Sequence, residues 1–299
     1  MKLHNLGEDR LLNLLLAGLS LGKAVAVGPG DDCALVAIHD RRKLLVLKVD
    51  CVDEGVHFLR GTSASDVGWK AMMRPLSDFA ATSAVPQFAL ITVIVPEQTK
   101  VAWIKELYRG LRRAARRFDV SIVGGETSST PGEIAISTSV IGFVEKHRAV
   151  SRRGGKPGDD LFVTGRLGGA LRQKHLQFIP RIVESRWLTE NFSIHAMMDL
   201  SDGLGADLPR LARASKVGFK LDTENLPFTR GAKINDAISE GEDYELLFAI
   251  SPRDRNRLER EWKKRFPRLP LTRIGSLSQL SIKDNQVLPR GYVHFQQSG

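Results

Sequence analysis

The chain has 299 residues, of which 42% are hydrophobic and 26% charged, with a formal net charge of +10. That is enough for one large domain or two smaller ones, and no apolar run reaches the length of a membrane span, Phe88 to Val95 being strand-sized. The charged stretch from Met1 to Arg10 excludes a secretory signal, and two cysteines, Cys33 and Cys51, exclude a disulfide framework and match no zinc motif, so a soluble protein of the reducing cytoplasm is expected.

In chain order, apolar runs predict strands at Cys33–Ile38 and Lys43–Val49, and amphipathic spacing predicts a helix over Ser65–Ala84. A strand at Phe88–Val95, a helix over Glu97–Phe118 and a long β-branched strand at Ile134–Val144 follow. The polar, glycine-rich stretch from Ser151 to Asp159 breaks every period and marks a boundary, giving units 1–147 and 148–299. The second unit is predicted to hold strands at Asp160–Thr164, Gly218–Asp222, Tyr244–Ile250 and Leu271–Gly275, with helices after Ser201 and around Arg255–Phe266. The order is mixed α/β.

Positive charge concentrates in Arg109–Arg117 and Arg253–Arg268. In the first block Ile104, Leu107, Tyr108, Leu111, Ala115 and Phe118 recur at helical spacing, which turns Lys105, Arg109, Arg112, Arg113 and Arg116 outward. The second block, built around Leu258 and Trp262, reads the same way. Neither carries an aromatic stacking platform, so both are solvated helix faces and no specific nucleic-acid partner is expected.

Five carboxylate motifs stand out against this basic background: Gly30-Asp31-Asp32, Val49-Asp50, Leu76-Ser77-Asp78, Gly124-Gly125-Glu126 and Asp199-Leu200-Ser201-Asp202. Each ends an apolar run or adjoins glycine. Carboxylates from separate segments are the means by which proteins hold Mg²⁺ against the phosphates of a nucleotide. The chain has neither GxxxxGK[ST] nor a strand-linked GxGxxG, so the phosphate grip is of another kind.

The blocks GPGDDCALV, VDCVDEGVHFL, LSDFAA, VGGETS, SRRGGKPGDDLFVTG, MMDLSDGLGADL, EGEDYELLF and GYVHF resemble, in order and spacing, the thiamine-monophosphate kinases of the aminoimidazole-ribonucleotide synthetase superfamily, over nearly the whole chain. The resemblance implies a two-domain α/β (α+β) fold, with an N-terminal ATP- and Mg²⁺-binding domain whose sheet completes a barrel across a homodimer, and a C-terminal α/β domain. It implies ATP-dependent phosphorylation of thiamine monophosphate to thiamine diphosphate, with ATP as co-substrate and no membrane partner. Catalysis by positioning and metal electrostatics, without a covalent catalytic residue, fits phosphoryl transfer of this kind.

The same resemblance assigns Asp32, Asp50, Asp78, Glu126, Asp199 and Asp202 to metal, and Gly125, Glu126, Arg152 and Ser201 to the nucleotide. It assigns His57, Glu242 and Tyr292 to thiamine phosphate, whose thiazolium a carboxylate and an aromatic face both attract. Asp31 is expected to shape its turn. Taken by itself, each Asp also suits a turn or helix cap, and His57 a structural hydrogen bond.

Three departures matter. Glu126 stands where the family has Asp, one methylene and roughly 1.5 Å longer. Lys48 and Val49 replace hydroxyl residues before Asp50: if strand alternation aims Lys48 the same way as Asp50, it could act as a point charge in place of one Mg²⁺, and otherwise it faces solvent. The segment between Gly165 and Pro180 is short for the family, and its loss is expected to touch none of the motifs. These features keep two alternatives open: another ATP-dependent enzyme of the superfamily, or a catalytically weakened nucleotide-binding paralogue.

Overall fold

The computed structural model describes residues 3–6, 8–172, 174–280, 288–289 and 291–292. Val293 to Phe295 of the terminal block lie outside the described residues. Two short helices, α1 (Leu3–Leu6) and α2 (Glu8–Leu16), precede β1 (Val25–Val27), β2 (Ala34–Ala37) and β3 (Lys43–Asp53). Then come α3 (Ala64–Ala81), β4 (Val85–Val95), α4 (Val101–Arg117), β5 (Ser121–Ser129) and β6 (Ala135–Glu145). The second half contains β7 (Asp160–Thr164), α5 (Lys174–Gln177), α6 (Ile182–Asn191), β8 (Ile194–Asp199), α7 (Leu204–Ser215) and β9 (Gly218–Leu221). It continues with α8 (Ile234–Ser239), β10 (Leu246–Ile250), α9 (Arg255–Arg265) and β11 (Leu271–Ser278).

The first sheet runs β1-β2-β3-β6-β4-β5, antiparallel except for the parallel pair β4 and β5. Strand alternation divides it cleanly. Leu44, Val46 and Val52 of β3, Ile136, Val140 and Val144 of β6, and Ala89, Ile91 and Val93 of β4 are buried in one core with α3 and α4. The opposite face is largely apolar and uncovered: Leu47, Ile141 and Phe88 lie in one row across three strands, and Val49 and Leu90 flank Ser139 in the next. Val49 is 59% exposed there and Phe88 41%.

Helix α3 packs directly on α4 because both carry glycine at the crossing. A Cβ at Gly68 would stand 2.1 Å from the Leu107 carbonyl oxygen, and one at Gly110 1.9 Å from that of Ser65. Only glycine lets the two backbones come this close. The basic side chains of α4 and α9 project outward as their spacing requires, leaving Leu107, Leu111, Leu258 and Trp262 inside.

The second sheet, β8-β10-β7-β11-β9, is antiparallel throughout and covered on both faces. Phe162, Met197, Phe248 and Ile250 join the core of the first half, whereas Leu161, Val163, Met198, Leu247 and Ala249 pack into a second core with α7. Arg186 on α6 ties the halves together through the Glu145 carboxylate and the Ser83 carbonyl.

Candidate functional site

Asp32, Asp78 and Asp199 come from three separate segments, the turn before β2, the C-terminal part of α3 and the end of β8. All three are buried, and one oxygen from each lies within 4.8 Å of the others. Ser77, beside Asp78, donates to Asp199 Oδ2 at 2.6 Å. Arg152 grips Asp32 Oδ1 through Nε (3.1 Å) and Nη2 (2.6 Å), while the Asp31 carboxylate accepts the backbone N–H groups of Arg152 and Asp32 and fixes the turn. Burial, then the Asp32 charge, pushes Asp199 up to about 7, and burial drives Asp78 well above the usual carboxylate range although Lys48 opposes it. Gathered carboxylates with raised proton affinity lack positive charge.

Asp50 lies on the helix-facing side of β3, opposite Thr138. Lys48 points the same way. Its Nζ is 2.9 Å from Asp78 Oδ1 and 3.8 Å from Asp50 Oδ2. Burial alone would lower the Lys48 pKa, but Asp78 and Asp50 outweigh it and the ammonium is held above its ordinary value.

One turn and two turns back along α3 lie Arg74 and Lys70, neither of which the motifs singled out. Arg74 donates to the Cys51 carbonyl at 2.8 Å. Lys70, 1% exposed, donates to the His57 carbonyl at 2.6 Å, contacts His175 Nδ1 at 2.8 Å and pairs with Glu242. Burial, partly offset by Glu242, lowers the Lys70 pKa to about 8. Burial would raise that of Glu242, but the His175 hydrogen bond and the charges of Lys70 and Arg74 prevail and hold it at about 2.

His57 is itself 8% exposed and accepts the Asp53 N–H on Nδ1, which leaves the ring proton on Nε2. Glu242 and Tyr292 meet at the Ser201–Asp202 turn, the Glu242 N–H bonding the Ser201 carbonyl at 2.7 Å and the Tyr292 N–H that of Asp202 at 2.9 Å. Asp207 organises that turn by accepting the N–H groups of Ser201 and Asp202.

Besides Asp50, which meets the cluster through Lys48, two expected ligands lie away from it. The Asp202 carboxylate is held by Arg210, which also binds Asp207. Glu126 faces the uncovered side of the sheet in register with Thr92, three strands from Asp50 and about 14 Å away at ordinary strand spacing. Gly125 has a local reason to be glycine, since a Cβ there would lie 1.8 Å from the Ile91 carbonyl oxygen of β4.

The short segment after Gly165 also differs from its expectation. His175 contacts Glu242, Phe178 stacks on Tyr244 with ring centroids 3.8 Å apart, and Lys174 and Arg181 both pair with Glu245. It buttresses the Gly241–Glu245 motif instead of standing clear of it.

Four buried polar atoms around this cleft have no hydrogen-bond partner among the described residues: Asp32 Oδ2, Arg74 Nε, Thr138 Oγ1 and Tyr244 Oη. Orphaned buried polar groups are costly and uncommon in folded proteins. Asp32 belongs to the carboxylate cluster, Arg74 feels the charges of Asp50 and Asp78, Tyr244 those of Asp50 and Asp199, and Thr138 stands opposite Asp50. The four therefore lie about the gathered acids, and hard oxygen donors from several segments suit a Mg²⁺ ion shared with phosphate oxygens.

Both halves of the chain match known proteins. Residues 30–144 match the family model of the AIR synthase related protein N-terminal domain, and residues 152–263 that of the C-terminal domain. The chain is 35% identical to the thiamine-monophosphate kinase of Rhodopirellula baltica, covering 90% of this chain and 92% of that one. It is 33% identical to the thiamine-monophosphate kinase of Aquifex aeolicus, covering 99% and 100%. The solved structure of AaThiL complexed with AMPPCP and TMP superposes with a TM-score of 0.83 at 33% identity, covering 98% of this chain and 99% of that one.

Proposed function

The chain belongs to the AIR synthase related proteins and, among them, to the thiamine-monophosphate kinases, and from that membership we infer how its acidic cleft works. It is an ATP-dependent phosphotransferase that converts thiamine monophosphate and ATP to thiamine diphosphate and ADP. A phosphate oxygen of thiamine monophosphate forms a bond to the γ-phosphorus as the bond from that phosphorus to the departing ADP oxygen breaks. Such a reaction asks for in-line positioning and charge neutralisation more than for covalent help from the protein.

The observation that carries the site assignment is the convergence of Asp32, Asp78 and Asp199 with four orphaned polar atoms. Asp32, Asp78 and Asp199 would hold Mg²⁺, which when bound screens the two polyanions from each other, whereas Asp50, expected as a further ligand, faces Lys48. Arg152 orients Asp32 and, as a fixed fork, suits the polyphosphate. Ser201 would meet the nucleotide from the turn whose backbone Asp207 holds. On the acceptor side His57, Glu242 and Tyr292 frame the thiamine moiety, with Lys70 and His175 fixing the Glu242 carboxylate.

Gly125, Glu126 and Asp202 enter the proposal differently. Glu126 lies on the uncovered apolar face, so a homodimer that closes this face into a barrel would give it a nucleotide to meet, and Asp202 would need to leave Arg210 before it could ligate. The division at 147/148 is part of the same reading and is supported by the gap between the two matched family regions. A cytoplasmic location is supported by the substrates and by two free thiols.

The direct test is ADP release from ATP and Mg²⁺ with and without thiamine monophosphate, with thiamine diphosphate identified by mass. Release that depends on both is expected. Purified protein that binds ATP but releases no ADP on addition of thiamine monophosphate would sink the reading.

A further inference from the structure

We propose that Lys48 is a resident cation of the phosphate-transfer site, occupying the position between Asp50 and Asp78 that a divalent ion would otherwise fill. The proposal rests on the kinase reading and deepens it. Three observations support it. First, Lys48 Nζ bridges carboxylates from two different elements, β3 and α3, at 3.8 and 2.9 Å, an arrangement that resembles bridging metal coordination more than a surface pair. Second, strand register fixes the side chain: Lys48 sits opposite Val140 on the buried face of β3, in line with Val46 and Asp50. Its side chain is 21% exposed, so the ammonium cannot swing far into water without dragging its stem from the core.

Third, space and charge forbid double occupancy. Mg²⁺ takes oxygen ligands at about 2.0–2.1 Å, so an ion bridging Asp50 and Asp78 would lie within a few ångströms of the ammonium, two like charges in a poorly solvated place. An ammonium is also a compact point charge without vacant coordination sites. Asp32 Oδ2, still unpartnered, and Asp199 remain for a true metal ion on the other side of Asp78. The chain therefore holds a single positive charge permanently where a divalent ion would come and go with its concentration.

The consequence is a countable one. Mn²⁺ bound per chain, measured by electron paramagnetic resonance on the full-length protein with AMPPCP and thiamine monophosphate, should increase by about one ion in Lys48→Ser, which opens the position to a hydrated cation. The Mg²⁺ concentration for half-maximal rate should rise roughly tenfold in the same variant, because an ion must now supply what the ammonium supplied. Lys48→Met removes the charge but keeps the bulk, so it should bind no additional ion. Should serine disrupt β3, Lys48→Thr, better suited to a strand, repeats the count.

An unchanged Mn²⁺ count in the folded serine or threonine variant overturns the proposal, as does an equal gain in Lys48→Met. Failure of the kinase reading is distinguishable, since it shows as absent thiamine-monophosphate-dependent ADP release in the parent protein, whatever the metal count.

Discussion

Asp78 joins two parts of the site: one oxygen pairs with Lys48, and the carboxylate also lies within the cluster of Asp32 and Asp199. Removing its charge while keeping its shape should leave the buried ammonium partly unpaired and the phosphates under-neutralised. Asp78→Asn is expected to reduce turnover by at least about a hundredfold, several kcal/mol of transition-state stabilisation, with the fold retained. Steady-state ADP release and a circular dichroism spectrum check both halves of that statement. Glu242→Gln should act on binding instead. Because Lys70 and His175 already engage the carboxylate, its attraction for a thiazolium is worth about 1 kcal/mol, so KM for thiamine monophosphate should rise roughly fivefold while KM for ATP stays put. The reverse pattern would remove Glu242 from the acceptor pocket. Residues such as Lys48 and Asp50 are legible in sequence because period-two alternation states which way they face. Arg74, Tyr244 and His175 are not, because their neighbours come from the meeting of two halves that no local pattern describes.

At the scale of an element, α3 is the organiser. Lys70, Arg74 and Asp78 recur every four residues, so one helix face carries a ladder from the Glu242 pocket to the carboxylate cluster. The lower rung titrates. Lys70 has a folded pKa near 8, below the ordinary lysine value, so between about pH 8 and 10.5 the unfolded chain binds a proton that the folded chain has released. Its contribution to stability therefore rises with pH through that window, and the cost of burying its charge is fully present below it. Urea unfolding of the parent and of Lys70→Met at pH 7.5 and 9.5 checks this: the parent should gain on the variant at the higher pH, and parallel behaviour would refute it. Most elements of the first half were readable from apolar runs, but β5 was not. Its Gly124-Gly125-Glu126 core lacks the β-branched residues that announce a strand, and only the close approach of β4 explains its glycines. Helix α6 and strand β8 escaped for a related reason: part of their burial, at Ile182, Leu188 and Met197, lies in the core shared with the first half.

At the scale of the whole molecule, the rows Leu47–Ile141–Phe88 and Val49–Ser139–Leu90, apolar but for the serine, make one continuous face that water should not keep. Under the proposed homodimer, Leu90→Lys should shift the protein from dimer to monomer in sedimentation velocity and lower activity, since Glu126 shares that face. A parent protein that sediments as a monomer at micromolar concentration would refute the dimer. The burial of α3 has a further implication, for folding. Sixteen of its eighteen residues are buried, because the first sheet and α4 cover one side while α6, β8 and the Phe178 segment cover another. Neither half can bury that helix alone, so the two should not melt independently despite having separate sheets. A single calorimetric transition is expected for the whole chain, and residues 1–147 expressed by themselves should expose α3 and aggregate. An enzyme assembled this way gains a safeguard during synthesis: Asp199 arrives on β8 and is paired by β10, so the acidic cleft cannot be complete, and cannot consume ATP, until those strands of the second half have been made.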